Sequence, residues 1–330
     1  MADALLSPAV GGGMYAVSAA AIAYSVKKIK KDDLGENKAP LMAVSGAMVF
    51  AAQMINFTIP GTGSSGHLSG GILLAALLGP FTALLAMSAV LVIQCLIFAD
   101  GGLLALGANI FNIGIISCLF IYPLIARRIF SGSPTPKRIW IGSVTSAIAA
   151  LQLGAFAIVL QTTISGIAEL PFSAFALLMQ PIHLAIGIVE GIVTAAILTF
   201  VYAARPRMLE SYIDPAAKTL SPAYSAKQKS IKKVIIVFAC ITAVTAAGIS
   251  LFASAYPDGL EWSVENVAGT NVIADIQERM SIMPGYETSG SEGSGTSMAG
   301  IIGAVLVFAL AGLSAIIIRA VKKNKKNAVK

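Results

Sequence analysis

The chain contains two histidines, His67 and His183, and these are its strongest candidates for binding a metal ion. His67 lies in the glycine-rich segment NFTIPGTGSSGHLSGG, residues 56–71. Glycine lets the backbone approach a ligand closely, and imidazole is a good ligand for divalent transition metals. The pattern therefore offers His67 as a metal ligand or substrate contact, although an ordinary solvated loop histidine fits the spacing at least as well.

His183 lies in a different setting, inside the apolar stretch 173–203 and roughly 15 Å below its outer end at the rise of an α-helix. Glu190 follows seven positions later, on nearly the same helical face. Ionisable groups at this depth usually face the interior of a bundle and often mark a transport pathway. A buried structural network fits the pair equally well. From this depth we expect His183 to be too far from His67 to share one ion with it.

Two pairs of amides have helical spacing. Gln53 and Asn56 form one i, i+3 pair, and Asn109 and Asn112 form another. Each pair would lie on a single helical face. Hydrogen bonding between membrane helices is the expected role, with lining of a pathway as the alternative.

The spacing of residues also excludes nucleotide binding, zinc-protease and serine-hydrolase chemistry, and a CxxC site. Residues 61–66 have the GxxxxG spacing of a phosphate-binding loop, but His67 stands where that motif needs lysine. The sequence contains neither an HExxH zinc motif nor a GxSxG nucleophile motif. Its three cysteines are far apart and form no CxxC pair. We therefore expect a protein that is not an enzyme and has no cofactor.

The composition shows which elements must position these residues. Of the 330 residues, 56% are hydrophobic and 12% are charged, against about 25% charged in a soluble domain. All but one of the 23 Lys and Arg fall into four clusters. Basic loops stay on the cytoplasmic side, which predicts an outer amino terminus, a cytoplasmic carboxyl terminus, location in the cell membrane and no need for a nucleic-acid partner. The predicted fold is an all-α polytopic membrane protein.

Between an outer loop and a cytoplasmic basic cluster the chain must cross the membrane an odd number of times. This requirement predicts two helices, 71–79 and 81–98, on either side of Gly79-Pro80, because proline breaks a helix. The first is too short to cross the bilayer alone and must be sheltered by protein. We expect a seven-helix unit over 1–203, a cytoplasmic linker over 204–233 and a two-helix unit over 234–330 with an outward loop. The predicted spans are 4–26, 39–57, 71–79, 81–98, 104–126, 138–163, 173–203, 234–254 and 298–318.

Four separated motifs carry a resemblance to a known family. They are ADALLSPAV, FAAQMINFTIPGTGSSGHLSGGILLAALLGP, FADGGLLALGANIFNIG and HLAIGIVEGIVTA. In this order they resemble the CbiM/NikM family, the substrate-binding membrane subunits of energy-coupling-factor cobalt or nickel transporters, over residues 1–203. The segment 257–261, PDGLE, resembles the small companion subunit (NikN/CbiN-like), fused here to the same chain.

The resemblance implies a binding site for Co(II) or Ni(II) on the outer face. Its ligands would be the free N-terminal amine, a backbone nitrogen and the imidazole of a second-position histidine, and a loop histidine that corresponds to His67. This chain departs from the pattern, since position two is Ala2. Either a Met-His pair precedes Met1 or the principal ligand is absent, and we expect the former.

The resemblance also implies partners, namely a transmembrane coupling subunit and cytoplasmic ATPase subunits. The leading hypothesis is therefore the substrate-specific component of an ATP-driven importer for cobalt or nickel. The alternative is an ATPase-independent secondary transporter that uses His183 and Glu190 as a proton or ion relay, although no internal repeat of the kind common in such carriers is apparent.

Overall fold

A computed structural model describes residues 1–29, 38–131, 134–168, 170–205, 208–209, 231–268, 281–286 and 294–327. Within these ranges the protein is a helical bundle with one short hairpin on top of it. The helices are α1 (Pro8–Lys28), α2 (Lys38–Gln53), α3 (Gly71–Leu78), α4 (Pro80–Phe98), α5 (Leu106–Phe130), α6 (Pro136–Ser165), α7 (Phe172–Ala204), α8 (Ile231–Ala247), α9 (Gly259–Ala268) and α10 (Ser294–Asn327). Short 3-10 turns cover Asp3–Leu5, Ile249–Phe252 and Pro284–Tyr286.

Helix boundaries follow the local sequence. Helix α1 begins after Ser7, whose side chain accepts a hydrogen bond from the Val10 amide, with Pro8 at the first helical position. Helix α6 begins in the same way after Thr135 and ends at Gly166 in the left-handed conformation. The backbone of α5 is π-helical over Ile110–Ala126, a stretch that contains Pro123.

The predicted break at Gly79-Pro80 is confirmed. Gly79 has a φ of 82°, a value that favours glycine, and it separates α3 from α4. All eight residues of α3 are buried. The short helix is therefore sheltered by protein, as the sequence predicted, in the centre of the main hydrophobic cluster.

Six helices are long and apolar enough to cross a membrane, and together they make this a multi-pass membrane protein. They are Pro8–Lys28, Pro80–Phe98, Leu106–Phe130, Pro136–Ser165, Phe172–Ala204 and Thr296–Lys322. Helices α2 and α8 have 16 and 17 residues, and α3 has eight. The split into seven plus two crossings therefore stays a prediction. Most of the predicted linker 204–233 lies outside the described residues.

The carboxyl-terminal helices pack directly on the first unit. Helix α10 approaches α2 so closely that a Cβ added at Gly303 would lie within 2.3 Å of the Phe50 ring. The same cluster contains Phe238 of α8. At the other end of α10, the Lys322 ammonium donates a hydrogen bond to the Ile29 carbonyl oxygen. The second unit thus shares one hydrophobic core with the first.

Candidate functional site

The loop that carries His67 contains a small hairpin that sequence analysis missed. Strand β1 (Phe57–Ile59) pairs antiparallel with β2 (Ser64–Gly66), with Thr58 opposite Ser65. Gly61 and Gly63, with φ of 79° and 75°, form the turn between the strands. Three-residue strands with serine and glycine lack the alternation of apolar residues that marks a strand in sequence.

Glu190 of α7 anchors the residues that follow His67. Its carboxylate accepts hydrogen bonds from the Ser69 amide at 2.6 Å, the Ser69 hydroxyl at 2.8 Å and the Gly70 amide at 3.1 Å. Gln53 of α2 adds a fourth bond, from Nε2 to the Ser69 carbonyl oxygen at 2.7 Å. Glu190 and Gln53 are both buried. The loop is therefore drawn down into the bundle rather than lying on its surface.

Both histidines line one cavity, and the expectation that they do not share one ion stays a prediction. This cavity, here called the inner cavity, has a volume of about 100 Å³ and is also lined by Met1, Asp258 and Leu260. The expectation assumed that His67 stays at the outer surface. Because Glu190 binds the backbone that follows His67, the loop descends towards the level of His183 instead.

Each imidazole keeps one nitrogen for a ligand. His183 Nδ1 lies 2.8 Å from the Met179 carbonyl oxygen, and His67 Nδ1 lies 3.3 Å from that of Leu68. A carbonyl oxygen only accepts, so Nδ1 carries the proton and Nε2 has the lone pair. This is the arrangement in which a histidine usually binds a metal ion.

The N-terminal segment is fixed above α5. The Met1 amine donates to Asn109 Oδ1 at 3.0 Å, and the Met1 carbonyl oxygen accepts from Asn109 Nδ2 and from the Gly102 amide. Asp3 Oδ1 accepts from the Ala105 amide at 2.9 Å. Asn109 therefore has a role that sequence analysis did not foresee, since it holds the chain terminus at the cavity.

The remaining predicted polar residues separate into two groups. Asn112 and Gln161 exchange two side-chain hydrogen bonds, at 2.8 and 2.9 Å, and so join α5 to α6 as the amide spacing suggested. Gln53 and Asn56 instead line a second cavity next to the first. The hydrogen bonds of His183 and Glu190 go to other groups, and none joins these two side chains to each other.

The PDGLE segment belongs to the same site. The Ser65 amide donates to the Pro257 carbonyl oxygen at 2.8 Å, which ties the segment to the hairpin. Asp258 Oδ1 accepts from the amides of Leu260 and Glu261, and Glu261 Oε2 accepts from the Asp258 amide, so the two residues form a capping box for α9. The sequence analysis treated this stretch as a loop and missed the helix, although D-x-x-E is its signal.

Contacts with neighbouring segments explain why the next two residues of the PDGLE segment are glycine and leucine. A Cβ added at Gly259 would lie 2.5 Å from Ile182 Cγ2 and 3.5 Å from His183 Cε1, so only glycine allows this approach. Leu260 is buried in a cluster that also contains Leu5 and Phe175. The segment therefore closes over both the N-terminal segment and α7.

The second cavity, here called the outer cavity, is the larger and more polar of the two. It measures about 290 Å³ and shares Met1, His67, Asp258 and Leu260 with the inner cavity. Its acidic lining residues are Asp100, Asp258 and Glu261. The proximity of Asp258, aided by burial, raises the pKa of Glu261 to about 7. A carboxyl surrounded by like charge in this way would be stabilised in its ionised form by a cation.

Side chains alone do not complete a metal centre in the described part of the chain. No group of three His, Cys, Asp or Glu side chains there converges closely enough to hold an ion. Any transition metal bound at His67 would therefore need donors from elsewhere, and Met1 is a residue that lines the same two cavities.

Comparison with known proteins agrees with the two-part organisation. Residues 1–208 match the family model for the cobalt uptake substrate-specific transmembrane region, and residues 232–320 match that for the PDGLE domain. A protein of Archaeoglobus fulgidus assigned as the fused nickel transport protein NikMN is 33% identical over 317 residues, covering 93% of this chain and 95% of that protein. The fused nickel transport protein NikMN of Rhodobacter capsulatus is 31% identical over 229 residues, or 65% of each chain.

A solved structure agrees with the fold of the first unit. The crystal structure of a truncated transition metal transporter is 29% identical and has a TM-score of 0.52, covering 62% of this chain and 98% of that one. With the family model matched over 208 of 330 residues, the chain belongs to the family of cobalt-uptake substrate-specific transmembrane proteins, and a PDGLE domain follows in the same polypeptide.

Proposed function

We propose that this protein is the substrate-specific component of an ATP-driven importer of the energy-coupling-factor type, and that its substrate is Co(II) or Ni(II). The observation that carries the proposal is that His67 and Met1 line the same two cavities. Nitrogen ligands suit both metals, and a planar set of nitrogens suits Ni(II) in particular. The names of the relatives, which are transport proteins for nickel, support this substrate class.

The proposed ligand set consists of His67 Nε2 and nitrogens of the N-terminal segment. Amine and imidazole nitrogens bind a metal only after losing a proton, so affinity falls as the pH is lowered. Since position two is Ala2, the chain that begins at Met1 offers fewer donors than the family pattern requires. A Met-His pair ahead of Met1 would supply the missing imidazole and backbone nitrogen.

Calorimetric titration with Ni(II) and Co(II) tests this ligand set. We expect weak binding by the chain that begins at Met1, and much tighter binding when a Met-His pair precedes it. In the extended form, His67→Ala should remove most of the affinity, whereas His183→Ala should change it only a few-fold. Equal binding by the two forms, or loss of binding only in His183→Ala, would show that the site has been mapped wrongly.

The proposed partners are a transmembrane coupling subunit and cytoplasmic ATPase subunits. Uptake of nickel into proteoliposomes should require all of them together with ATP. Uptake by this chain alone, driven by a proton gradient, would instead support a secondary carrier with His183 and Glu190 as a relay. The hydrogen bonds of these two residues give that alternative no support, because they run to the Met179 carbonyl oxygen and to Ser69 and Gly70.

The proposed orientation places the amino terminus outside and the carboxyl terminus in the cytoplasm. Single cysteines at Thr62 and Ala223, introduced after replacement of the native cysteines, test it. A membrane-impermeant reagent added outside intact cells should label position 62 and leave position 223 unlabelled. Labelling with the opposite preference would invert the orientation.

A further inference from the structure

Gln53, a residue that lines the outer cavity, has a side-chain acceptor without a partner among the described residues. Gln53 is 4% exposed, and this acceptor is its Oε1. Its Nε2 is already bound to the Ser69 carbonyl oxygen, which fixes the orientation of the amide. A buried acceptor without a partner is costly, so a donor supplied by a ligand or by water bound to it is expected there.

Three carboxyl groups line the same cavity as Gln53. Asp258 Oδ1 and Glu261 Oε2 are used by the capping box, and Asp100 Oδ2 accepts from the Tyr286 hydroxyl at 2.5 Å. Each carboxylate has a second oxygen outside these bonds. Among the described residues, those that line the cavity include no Lys or Arg, and the cationic group there is the Met1 amine. The cavity is therefore rich in acceptors and attractive to a cation.

The spacing of the acidic groups indicates whether that cation binds as a bare ion or with its water ligands. They do not converge closely enough to replace the water ligands of a bare ion. The cavity, at about 290 Å³, has room for an ion with its water ligands, since each water molecule needs about 10–15 Å³ of such space. Carboxylate and amide oxygens that cannot reach the metal can still accept hydrogen bonds from water molecules bound to it.

We propose that the outer cavity is a capture site for a hydrated divalent cation, held through its water ligands by Gln53, Asp100, Asp258 and Glu261. The proposal rests on the proposed function, since it supplies the step before coordination. The ion exchanges its water for nitrogen ligands only at the boundary that the two cavities share, where Met1 and His67 lie. Negative charge in a cleft of this kind raises the rate at which cations associate.

Hexaamminecobalt(III) is a suitable probe, because its ligands do not exchange and it can bind only through them. The variant Asp258→Asn/Glu261→Gln removes both ionisable carboxyl groups and preserves the capping box, since Asn also caps helices and Gln also serves at the third position. Glu265→Gln is the matched control, as Glu265 lies on the same helix but lines neither cavity.

Calorimetry on the full chain in nanodiscs at low ionic strength should show that the wild type binds hexaamminecobalt(III). The double variant should bind it at least tenfold more weakly, and Glu265→Gln should bind it as the wild type does. In stopped-flow measurements on the form extended by a Met-His pair, the association rate of Ni(II) should fall about tenfold in the double variant.

Three results would overturn the capture site. They are no binding by the wild type, unchanged binding by the double variant, or an equal loss in Glu265→Gln. His67→Ala separates this proposal from the proposed function, because it should remove coordination of Ni(II) and leave the binding of hexaamminecobalt(III) unchanged. A chain that binds the probe but coordinates no nickel in any form would retain the capture site and refute the proposed function.

Discussion

Two segments bring nitrogen atoms to the cavities, and the protein holds them by different contacts. The loop that carries His67 is anchored from below by the buried carboxylate of Glu190, which accepts three hydrogen bonds. The N-terminal segment is held in a partly buried place, where Asn109 binds the Met1 amine and carbonyl oxygen and the Asp3 carboxylate accepts from the Ala105 amide. Hydrogen bonds to a charged group are stronger when they are fully buried, because water screens them less. The loop is therefore the rigid half of the site, and the terminus is the half that a small change displaces.

Removal of the carboxylate under the loop should have the largest effect. Glu190→Ala leaves the amides of Ser69 and Gly70 and the Ser69 hydroxyl without an acceptor in a buried place, and each unsatisfied buried donor costs about 1–3 kcal/mol. We expect a large loss of thermal stability and of Ni(II) binding. Glu190→Gln should be intermediate, because one oxygen acceptor remains.

Gln152→Ala provides the control for stability. Gln152 of α6 donates to the Gln180 carbonyl oxygen at 2.7 Å and does not contact the loop. We expect it to lower stability by about 1 kcal/mol with little change in Ni(II) affinity. If Glu190→Ala binds nickel as well as this control, the loop does not depend on its buried anchor.

A methyl group at Gly102 should have the next largest effect. A Cβ there would lie 1.8 Å from Asp3 Oδ1 and 2.5 Å from the Asp3 nitrogen, so the N-terminal segment must move. We expect Gly102→Ala to weaken Ni(II) binding by the extended form by more than tenfold, as seen by calorimetry. The global melting temperature should change little, because the segment lies at the edge of the bundle.

Gly12→Ala is the matched control for this substitution. A Cβ at Gly12 meets no atom within 4 Å, and the residue lies within α1. Alanine is favoured over glycine in a helix. Nickel binding should therefore be unchanged, and an equal loss in both variants would contradict the steric explanation.

Loss of the amide at Asn109 should have the smallest effect of the three. Asn109→Ala removes the acceptor of the Met1 nitrogen and a donor to the Met1 carbonyl oxygen, which together are worth about 1–2 kcal/mol. The expected result is a loss of Ni(II) affinity of roughly tenfold, with the loop unaffected. A loss as large as that of Glu190→Ala would remove the distinction between the two segments.

The membrane fold could be predicted closely from the sequence, because its causes are local. Long apolar stretches must become helices in a bilayer, where every backbone group needs a partner within the protein. Proline and glycine at 79–80 mark the break between α3 and α4, and the observed bounds Gly71–Leu78 and Pro80–Phe98 differ from the expected ones by one residue. The first helix, expected over 4–26, lies at Pro8–Lys28, whereas the last helix, expected over 298–318, extends further at both ends, over Ser294–Asn327.

The site was only half visible in the sequence, because its other half depends on contacts between distant residues. The glycine-rich motif identified His67, and apolar context identified His183 and Glu190 as unusual. Their spacing could not reveal that Glu190 binds the loop of His67, 120 positions away, or that this contact brings both histidines to one cavity.

The role of the PDGLE segment was decided by tertiary structure alone. Its sequence encodes a capping box through Asp258 and Glu261. That it closes over His183 and pairs with Ser65 follows from the packing of α8 and α10 on α2, which places the segment above the cavities. Local sequence thus determined which residues form helices and which could bind a metal ion. The packing of distant helices determined which of those residues meet, since contacts of this kind depend on the whole arrangement of the chain rather than on any one segment.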